Sequence, residues 1–113
     1  MLRIKQKKLF DRLRHSQKKI YGNNFLFVYI EDGNNSELAV GITVSKKVGN
    51  AVTRNLIKRR VKAVLNGFQE PAALSHFYIN IIAKPDVTKV NFASITQDIT
   101  YNLNRLTNYA LIK

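Results

Sequence analysis

Residues 45–62 carry charge of one sign only, and this constrains the fold more than any other feature of the chain. The segment holds seven of the nineteen Lys and Arg residues and no acidic residue. Because its charges cannot pair with acids inside the segment, we expect their side chains to face outward. A polyanion is the natural partner for such a surface.

The spacing within residues 45–62 predicts a helix with a basic face beside an apolar face. At about 100° per residue, one face collects polar side chains: they are Arg54, Asn55, Lys58, Arg59 and Lys62. The adjoining apolar stripe, which can pack on a core, consists of Ile57, Val61, Val64, Leu65 and Phe68. Asn50 is predicted to cap the helix start, where free amide groups can hold phosphate, and Lys46 and Lys47 precede it. A solvated surface helix is the alternative, which the uncompensated charges disfavour.

The chain before this segment predicts one helix and two strands. Residues 5–15 place Leu9 and Leu13 four apart among charges, which is typical of a short helix. Residues 16–24 indicate a turn or a short irregular strand, and residues 25–30 are aromatic and β-branched, which favours a strand buried on both faces. The Asp-Gly-Asn-Asn sequence within residues 31–37 predicts a hairpin that leads antiparallel into a strand over residues 38–45.

The strand predicted over residues 38–45 alternates by size rather than by polarity. Its large side chains, Leu38, Val40, Ile42 and Val44, point to one face and are expected in the core. The small ones point to the other face: Ala39, Gly41, Thr43 and Ser45. Either a helix packs closely on this small face, or it forms the floor of a shallow groove that an extended single strand can occupy. Phe10, at the edge of the first helix, is correspondingly a core residue or a ring against which an unstacked base rests.

The chain after the basic segment predicts a strand and a helix. Asn66 and Gly67 indicate a helix stop, and residues 77–83 predict an interior strand that ends before Pro85. Asn91 can cap a last helix whose apolar residues recur at intervals of three and four: they are Phe92, Ile95, Ile99, Leu103, Leu106 and Ala110. The predicted fold is therefore an α+β class α/β sandwich, with order α-β-β-(β)-α-β-α.

Composition predicts one folded domain over residues 1–113. The chain is long enough for one modest core, and 45% hydrophobic residues argue against a disordered basic tail. The absence of cysteine excludes disulfides and thiolate-bound zinc. No apolar run approaches the roughly 18 residues that span a bilayer, and residues 1–20 lack the apolar block of a signal peptide, so we expect a cytoplasmic protein without a membrane partner.

Charge is distributed unevenly along the chain. Residues 1–62 contain fifteen Lys or Arg against four acids, whereas residues 63–113 contain four against three. This asymmetry suggests that the first half forms the binding surface and the second half supplies the scaffold.

The sequence shows no constellation for protein-based nuclease chemistry. Such chemistry needs a general acid and base, or carboxylates clustered to hold metal ions. His15 and His76 have no partner spacing between them and are predicted to be ordinary surface or packing residues, and the seven acids are scattered. We therefore expect no catalytic residue in the protein and no metal that it holds itself.

One block of sequence carries a family resemblance. Ser-Lys-Lys-Val-Gly-Asn-Ala-Val at residues 45–52, followed by Arg-Asn-x-Ile-Lys-Arg at residues 54–59, resembles the signature of the protein subunit of bacterial ribonuclease P. The resemblance implies that the strand-helix-strand crossover containing the basic helix is left-handed, against the usual rule. It also implies an enzyme whose catalytic component is an RNA that holds the Mg2+ ions, with a protein that assists removal of the 5′ leader from precursor tRNA.

The resemblance assigns roles to individual residues. It implies contact with the catalytic RNA by Arg54, Asn55, Lys58 and Arg59, with Lys46, Lys47, Asn50 and Lys62 adjoining them, and one protein per RNA. It places Phe10, Arg14 and Val28 in a groove for the leader. Leu56 and Lys62 stand where the family commonly has arginine, and Arg14 and Val28 stand where some members have aromatic residues. A structural RNA-binding protein, such as a small ribosomal protein, is the alternative from charge and size, and a protein-only endonuclease is a third.

Overall fold

The fold is a five-stranded mixed sheet with helices on both faces, as described for residues 1–112 by a computed structural model. The strands are β1 (Leu2–Arg3), β2 (Lys19–Tyr21), β3 (Phe25–Glu31), β4 (Ala39–Thr43) and β5 (Phe77–Ala83). The helices are α1 (Lys7–Arg14), α2 (Ala51–Gly67) and α3 (Phe92–Ile112), and short 3-10 turns cover Ala72–Leu74 and Pro85–Lys89. The strand order across the sheet is β1-β4-β5-β3-β2. This confirms the predicted α+β class.

Helices α2 and α3 cover one face of the sheet and enclose the main core. The predicted apolar stripe of α2 is buried, with Ile57 and Val61 at 1% and 0% exposure, and Ile99 of α3 is equally buried. These side chains pack with Phe27 and Ile81 from the centre of the sheet. Helical periodicity therefore predicts most of both inward faces, but Phe92 is wrongly placed there, since it lies at the start of α3 and is 45% exposed.

Helix α1 lies on the opposite face and covers only part of it. Leu13 is fully buried in a second, smaller cluster with Ile4 and Ala39, and Phe10 packs at the edge of that cluster. The Phe10 ring lies directly over Gly41, since a Cβ at position 41 would come within 2.5 Å of Phe10 Cε1. Both interpretations of the small face of β4 are thus realised: the helix covers Ala39 and Gly41, and Thr43 beyond them lines an open groove.

The hairpin predicted between residues 25–30 and residues 38–45, which correspond to β3 and β4, is wrong. Strand β5 lies between β3 and β4, antiparallel to β3 and parallel to β4. The loop over residues 32–38 crosses the start of β5, because Asp32 N donates to His76 O at 2.8 Å and Asn35 Nδ2 donates to Phe77 O at 3.3 Å. A strand that is apolar on both faces gains most burial at the centre of the sheet, and β5 takes that place.

The pairing of β4 and β5 makes β4-α2-β5 a crossover between adjacent parallel strands, as the family resemblance requires. The left-handedness of this crossover stays a prediction. The short strand β1 was not foreseen: its two residues pair in parallel with β4, too few to leave a periodic signal. Within residues 1–112, no helix is long and apolar enough to cross a bilayer.

Candidate nucleic-acid interface

Side-chain hydrogen bonds hold the start of α2 and the loop before it in one arrangement. Asn50 caps the helix as predicted, since its Oδ1 accepts from Thr53 N at 2.9 Å. Arg54 Nη1 donates to the carbonyl oxygen of Gly49 at 3.0 Å, which ties the first helical turn back to the loop. Lys46 and Lys47 are exposed on this loop. The loop cations therefore lie beside the helix N-terminus.

The predicted basic residues of α2 lie together on its solvent side. Asn55, Arg59 and Lys62 are exposed, whereas Arg54 and Lys58 are half-buried. A surface hollow of about 510 Å³ is lined by Val52, Asn55, Lys58, Arg59 and Lys62. We call the following set the basic surface: Lys46, Lys47, Asn50, Arg54, Asn55, Lys58, Arg59 and Lys62.

The positive charges of the basic surface have no carboxylate partner in the described part of the chain. The ion pairs found in residues 1–112 join Met1 to Glu37 and Glu70, Arg12 to Asp32, Arg14 to Asp11, and Lys89 to Asp86. None of them involves a residue between Ser45 and Lys62. The charges are therefore available to an external anion, and phosphates satisfy both their charge and their hydrogen-bonding capacity.

A groove of about 640 Å³ opens on the sheet face that α1 leaves uncovered. Its floor follows two adjacent rows of paired residues across β2, β3, β5 and β4. One row is Lys19, Val28, Asn80 and Gly41, and the next is Tyr21, Leu26, Ile82 and Thr43; all of these except Gly41 and Tyr21 line the groove. Most of this floor is apolar, and lysine and arginine side chains also line the groove. The groove is therefore suited to an unpaired nucleic-acid strand whose bases face the sheet.

All three residues predicted for this groove are found in its lining. Phe10 and Arg14 contribute from α1, and Val28 contributes from the centre of the floor. Arg14 makes an ion pair with Asp11 one helical turn away, and both side chains line the groove. The groove thus presents an aromatic ring and an arginine whose charge is partly compensated.

Several lining residues were missed by sequence reasoning. Lys7 and Lys19 add positive charge and Asn80 adds a polar group to the floor, whereas Thr43 belongs to the small face of β4 that was predicted as a possible groove floor. Lys19 reaches the groove only because β2 pairs with β3 in the register that sets Lys19 opposite Val28. Asn80 did have a signal, because it interrupts the otherwise apolar residues 77–83.

Lys58 connects the groove to the basic surface. It lines both the groove and the hollow on α2, and it is half-buried between them. The two surfaces therefore share the Lys58 side chain. A ligand in the groove and a second ligand on α2 would meet at this residue.

An ion pair outside the groove joins α1 to the end of β3. Arg12 Nη1 lies 3.2 Å from Asp32 Oδ2 at the end of β3. A hydrogen bond from the backbone N–H of Asn34, together with the Arg12 guanidinium, lowers the pKa of Asp32 below its usual value. The carboxylate is consequently ionised at neutral pH and holds α1 to the β3-β4 loop.

The described residues do not gather ligands for a metal ion. No group of three or more His, Asp or Glu side chains that could hold one occurs in residues 1–112. His76 donates from Nδ1 to Asn35 O at 2.5 Å, and His15 is exposed at the end of α1. Both histidines have the ordinary packing or surface roles that were predicted.

The α+β fold, the unpaired cations of α2 and the groove together define the class of small RNA-binding proteins. A family model described as Ribonuclease P matches residues 1–107. The chain belongs to the ribonuclease P protein family. It is thus a protein subunit of an endoribonuclease in which the RNA component is catalytic, and that RNA is its partner.

Individual relatives agree with this assignment. The chain is 30% identical to the ribonuclease P protein component of Enterococcus faecalis over 102 residues. This aligned region covers 90% of this chain and 86% of the relative. It is 33% identical over 101 residues to that of Streptococcus agalactiae, covering 89% and 90% of the two chains. The prediction drawn from the sequence block is confirmed, and a ribosomal protein and a protein-only endonuclease are excluded.

Solved structures show the same fold. The RNase P protein of Staphylococcus aureus superposes with a TM-score of 0.82 at 24% identity, covering 94% of this chain and 95% of the other. That of Thermotoga maritima gives a TM-score of 0.75 at 20% identity, covering 93% and 97%. The sandwich fold is therefore shared by these proteins.

Proposed function

We propose that the basic surface binds the catalytic RNA and that the groove binds the 5′ leader of precursor tRNA. The observation that carries the proposal is the position of Lys58, which lines both surfaces. A substrate strand in the groove is thereby held directly beside the catalytic RNA. Holding two reacting parts in fixed relation lowers the entropic cost of bringing them together.

The chemistry of the two surfaces supports this division of roles. The basic surface consists mainly of flexible cations and amides, which bind phosphates of a folded RNA without selecting sequence. The groove floor offers apolar side chains and the Phe10 ring, against which unpaired bases rest. Mature tRNA lacks the leader, so the groove favours the substrate over the product.

The same proposal assigns Mg2+ to the RNA component and one protein to each RNA, in the cytoplasm. Mg2+ requires several oxygen ligands in near-octahedral geometry, and the carboxylates of residues 1–112 are not clustered to supply them. The protein contributes positive charge near the phosphates instead. Because that charge lowers repulsion between substrate and catalytic RNA, less Mg2+ is needed for cleavage.

A reconstitution experiment tests the proposal. Precursor tRNA is incubated with the protein, with a bacterial ribonuclease P RNA at low Mg2+, and with both. We expect cleavage to require both components, and we expect the complete enzyme to bind precursor tRNA more tightly than mature tRNA. Equal affinity for the two tRNAs would contradict the role of the groove. A titration of protein into RNA, followed by native mass spectrometry, measures the stoichiometry.

A further inference from the structure

A surface cavity of about 750 Å³ lies between helix α3 and the turn that joins β2 to β3. We call it the α3 cavity. Its walls are mostly amide and hydroxyl side chains: Asn23, Gln97 and Asn104, with Ser94, Thr96 and Thr100. Within residues 1–112, no lysine, arginine or histidine lines it. The walls therefore suit an uncharged group of a ligand that both donates and accepts hydrogen bonds.

Asn24, in the turn, brings a buried amide without a protein partner to this cavity. The residue is 8% exposed and lines the cavity. Its backbone N–H donates to Asp98 Oδ2 at 2.8 Å and its carbonyl oxygen accepts from Lys84 N at 2.9 Å, but its side chain makes no hydrogen bond within residues 1–112. The atoms of this amide are not among those there that are unpaired and sealed from solvent. The amide is therefore open to a ligand in the cavity.

Tyr101 presents an aromatic ring at the same cavity. The residue lies on α3 and is 65% exposed. The guanidinium carbon of Arg105 lies 5.9 Å from the centroid of this ring, and Arg105 Nη1 donates to Asn102 Oδ1 at 3.1 Å. Arg105 is thus engaged by protein groups and supports the ring. Tyr101 therefore offers a supported planar surface on which a planar ligand can stack.

One hydrogen-bond network supports both the amide and the ring. The carboxylate of Asp98, which is 6% exposed, accepts from the backbone of Asn24. Asn102 Nδ2 donates to Asp98 Oδ1 at 3.0 Å, and Asn102 Oδ1 accepts from the arginine that lies over Tyr101. The two recognition groups of the cavity are therefore held in fixed relation before a ligand arrives, which lowers the entropic cost of binding.

The α3 cavity is connected to the basic surface across the two helices. Thr96 and Thr100 line both the cavity and a hollow of about 390 Å³ between α3 and α2. Ala63 lines that hollow from α2, one helical turn after Arg59 of the basic surface. An RNA on the basic surface therefore has a continuous path to the cavity, whereas a strand in the groove lies on the other face of the sheet.

We propose that the α3 cavity binds one unpaired base of the catalytic RNA, with the Asn24 amide at the edge of the base and the Tyr101 ring against its face. The inference rests on the proposed contact between the catalytic RNA and the basic surface, and it adds a contact that recognises a base. An amide suits this role because it carries both donors and an acceptor, as base edges do. Unstacked bases of RNA loops are commonly recognised by such hydrogen bonds together with stacking on an aromatic side chain.

The test uses the complete enzyme, reconstituted from this protein and the ribonuclease P RNA of the same organism. Filter binding measures the affinity for the RNA, and base-modifying reagents identify nucleotides whose base edge the protein protects. Asn24→Leu should weaken binding by about fivefold, the worth of one net hydrogen bond, and Tyr101→Ala by about tenfold, the worth of one stacked base. The salt dependence should stay unchanged, because neither variant loses a phosphate contact. One nucleotide that the unmodified protein protects should become reactive in both variants.

Control variants separate base binding from packing. Tyr109→Ala and Asn108→Leu alter exposed residues of α3 that do not line the cavity, so both should retain the affinity and the protection. Tyr101→Phe keeps the ring and should also bind as the unmodified protein does. Asn24→Leu should be at least as stable as the unmodified protein in urea unfolding, because it removes an unpaired amide and keeps the backbone hydrogen bonds. A role of Asn24 in the fold alone predicts a loss of stability with unchanged RNA affinity, which would overturn the inference.

The outcomes distinguish this inference from the function on which it rests. Unchanged affinity in both Asn24→Leu and Tyr101→Ala overturns the role of the cavity, and this is also the result expected if the cavity serves a protein partner. Weaker binding in which no protected nucleotide becomes reactive overturns it as well. Normal RNA binding by the Arg59→Ala/Lys62→Ala variant overturns the role of the basic surface instead, whatever the protection at the cavity.

Discussion

Arg12 and Asp32 join helix α1 to the far end of β3, with Nη1 and Oδ2 3.2 Å apart. The same helix carries Phe10 and Arg14 into the groove. Helix α1 also packs through the small cluster around Leu13, and Ser16 Oγ just beyond its end donates to Tyr29 O at 2.7 Å. We therefore expect the ion pair to help position Phe10 and Arg14, although neither Arg12 nor Asp32 lines the groove.

The Asp32→Asn variant should be less stable than the unmodified protein at neutral pH and nearly as stable in acid. The folded protein holds the pKa of Asp32 below its usual value, chiefly through the N–H of Asn34 and then through Arg12. A depressed carboxyl pKa contributes stability above the unfolded pKa, and this contribution disappears as the pH falls through the folded value. Urea unfolding at about pH 7 and about pH 3 measures the difference.

Asp86→Asn provides the control for this prediction. Asp86 pairs with Lys89 three residues away, and both side chains are more than three-quarters exposed. An exposed pair of this kind contributes little, so its removal should change stability slightly at either pH. An Asp32→Asn variant with the same pH profile as Asp86→Asn would show that the α1 attachment does not depend on the carboxylate.

Replacing Arg59 and Lys62 by alanine should weaken binding to the catalytic RNA without destabilising the fold. Both side chains are exposed and make no ion pair within residues 1–112. The logarithm of the binding constant decreases linearly with the logarithm of the salt concentration. For every phosphate that the variant no longer neutralises, this dependence should become shallower by roughly 0.7–0.9. The slope is measured by filter binding over a salt series, and the free energy of unfolding should stay within about 0.5 kcal/mol.

The Lys89→Ala/Arg105→Ala double variant removes the same charge from elsewhere on the molecule. It lowers the net charge equally but leaves α2 unchanged, so the salt slope should stay close to that of the unmodified protein. An equal reduction in both double variants would mean that RNA responds to total charge. In that case the basic surface would not be the binding site.

Lys58→Ala should impair both catalytic-RNA binding and discrimination between precursor and mature tRNA. Lys58 lines the groove as well as the hollow on α2, whereas Lys62 lines the hollow alone. Lys62→Ala should therefore reduce RNA affinity and leave the ratio of precursor to mature affinity unchanged. Equilibrium binding of both tRNAs to each reconstituted enzyme gives the ratio. A Lys58→Ala enzyme with an unaltered ratio would place the leader away from this residue.

Local elements were predictable because each leaves a repeat in the sequence. Ile57 and Val61 recur at helical spacing, and residues 25–30 form an apolar run, so α2 and β3 could be recognised. The capping role of Asn50 followed from side-chain chemistry that acts within three residues. The same locality explains why the residues of the basic surface could be grouped from the sequence, since they lie on one helix and the loop before it.

Long-range pairing was not predictable from these repeats. An Asp-Gly-Asn-Asn turn between two apolar runs indicates a hairpin, but nothing in residues 25–45 shows that β5 will insert between the two strands. The same gap hid Lys19, which reaches the groove through strand pairing rather than through sequence spacing. Asn80 could have been noticed, because a polar residue inside a buried strand requires an explanation.

Gly41→Ala should destabilise the protein and disturb the groove through Phe10. The new Cβ would lie 2.5 Å from Phe10 Cε1 and 2.8 Å from Cζ, so the Phe10 ring must move. Overpacking of this kind typically costs about 1–3 kcal/mol. Phe10→Ala removes the clash. The Phe10→Ala/Gly41→Ala double variant should therefore be more stable than the sum of the two single effects predicts. Urea unfolding of the unmodified protein, both single variants and the double variant measures this coupling. Additive effects would place the ring away from Gly41. Both single variants should also lower the preference for precursor over mature tRNA, and an equal drop in affinity for the two tRNAs would make Phe10 a packing residue only.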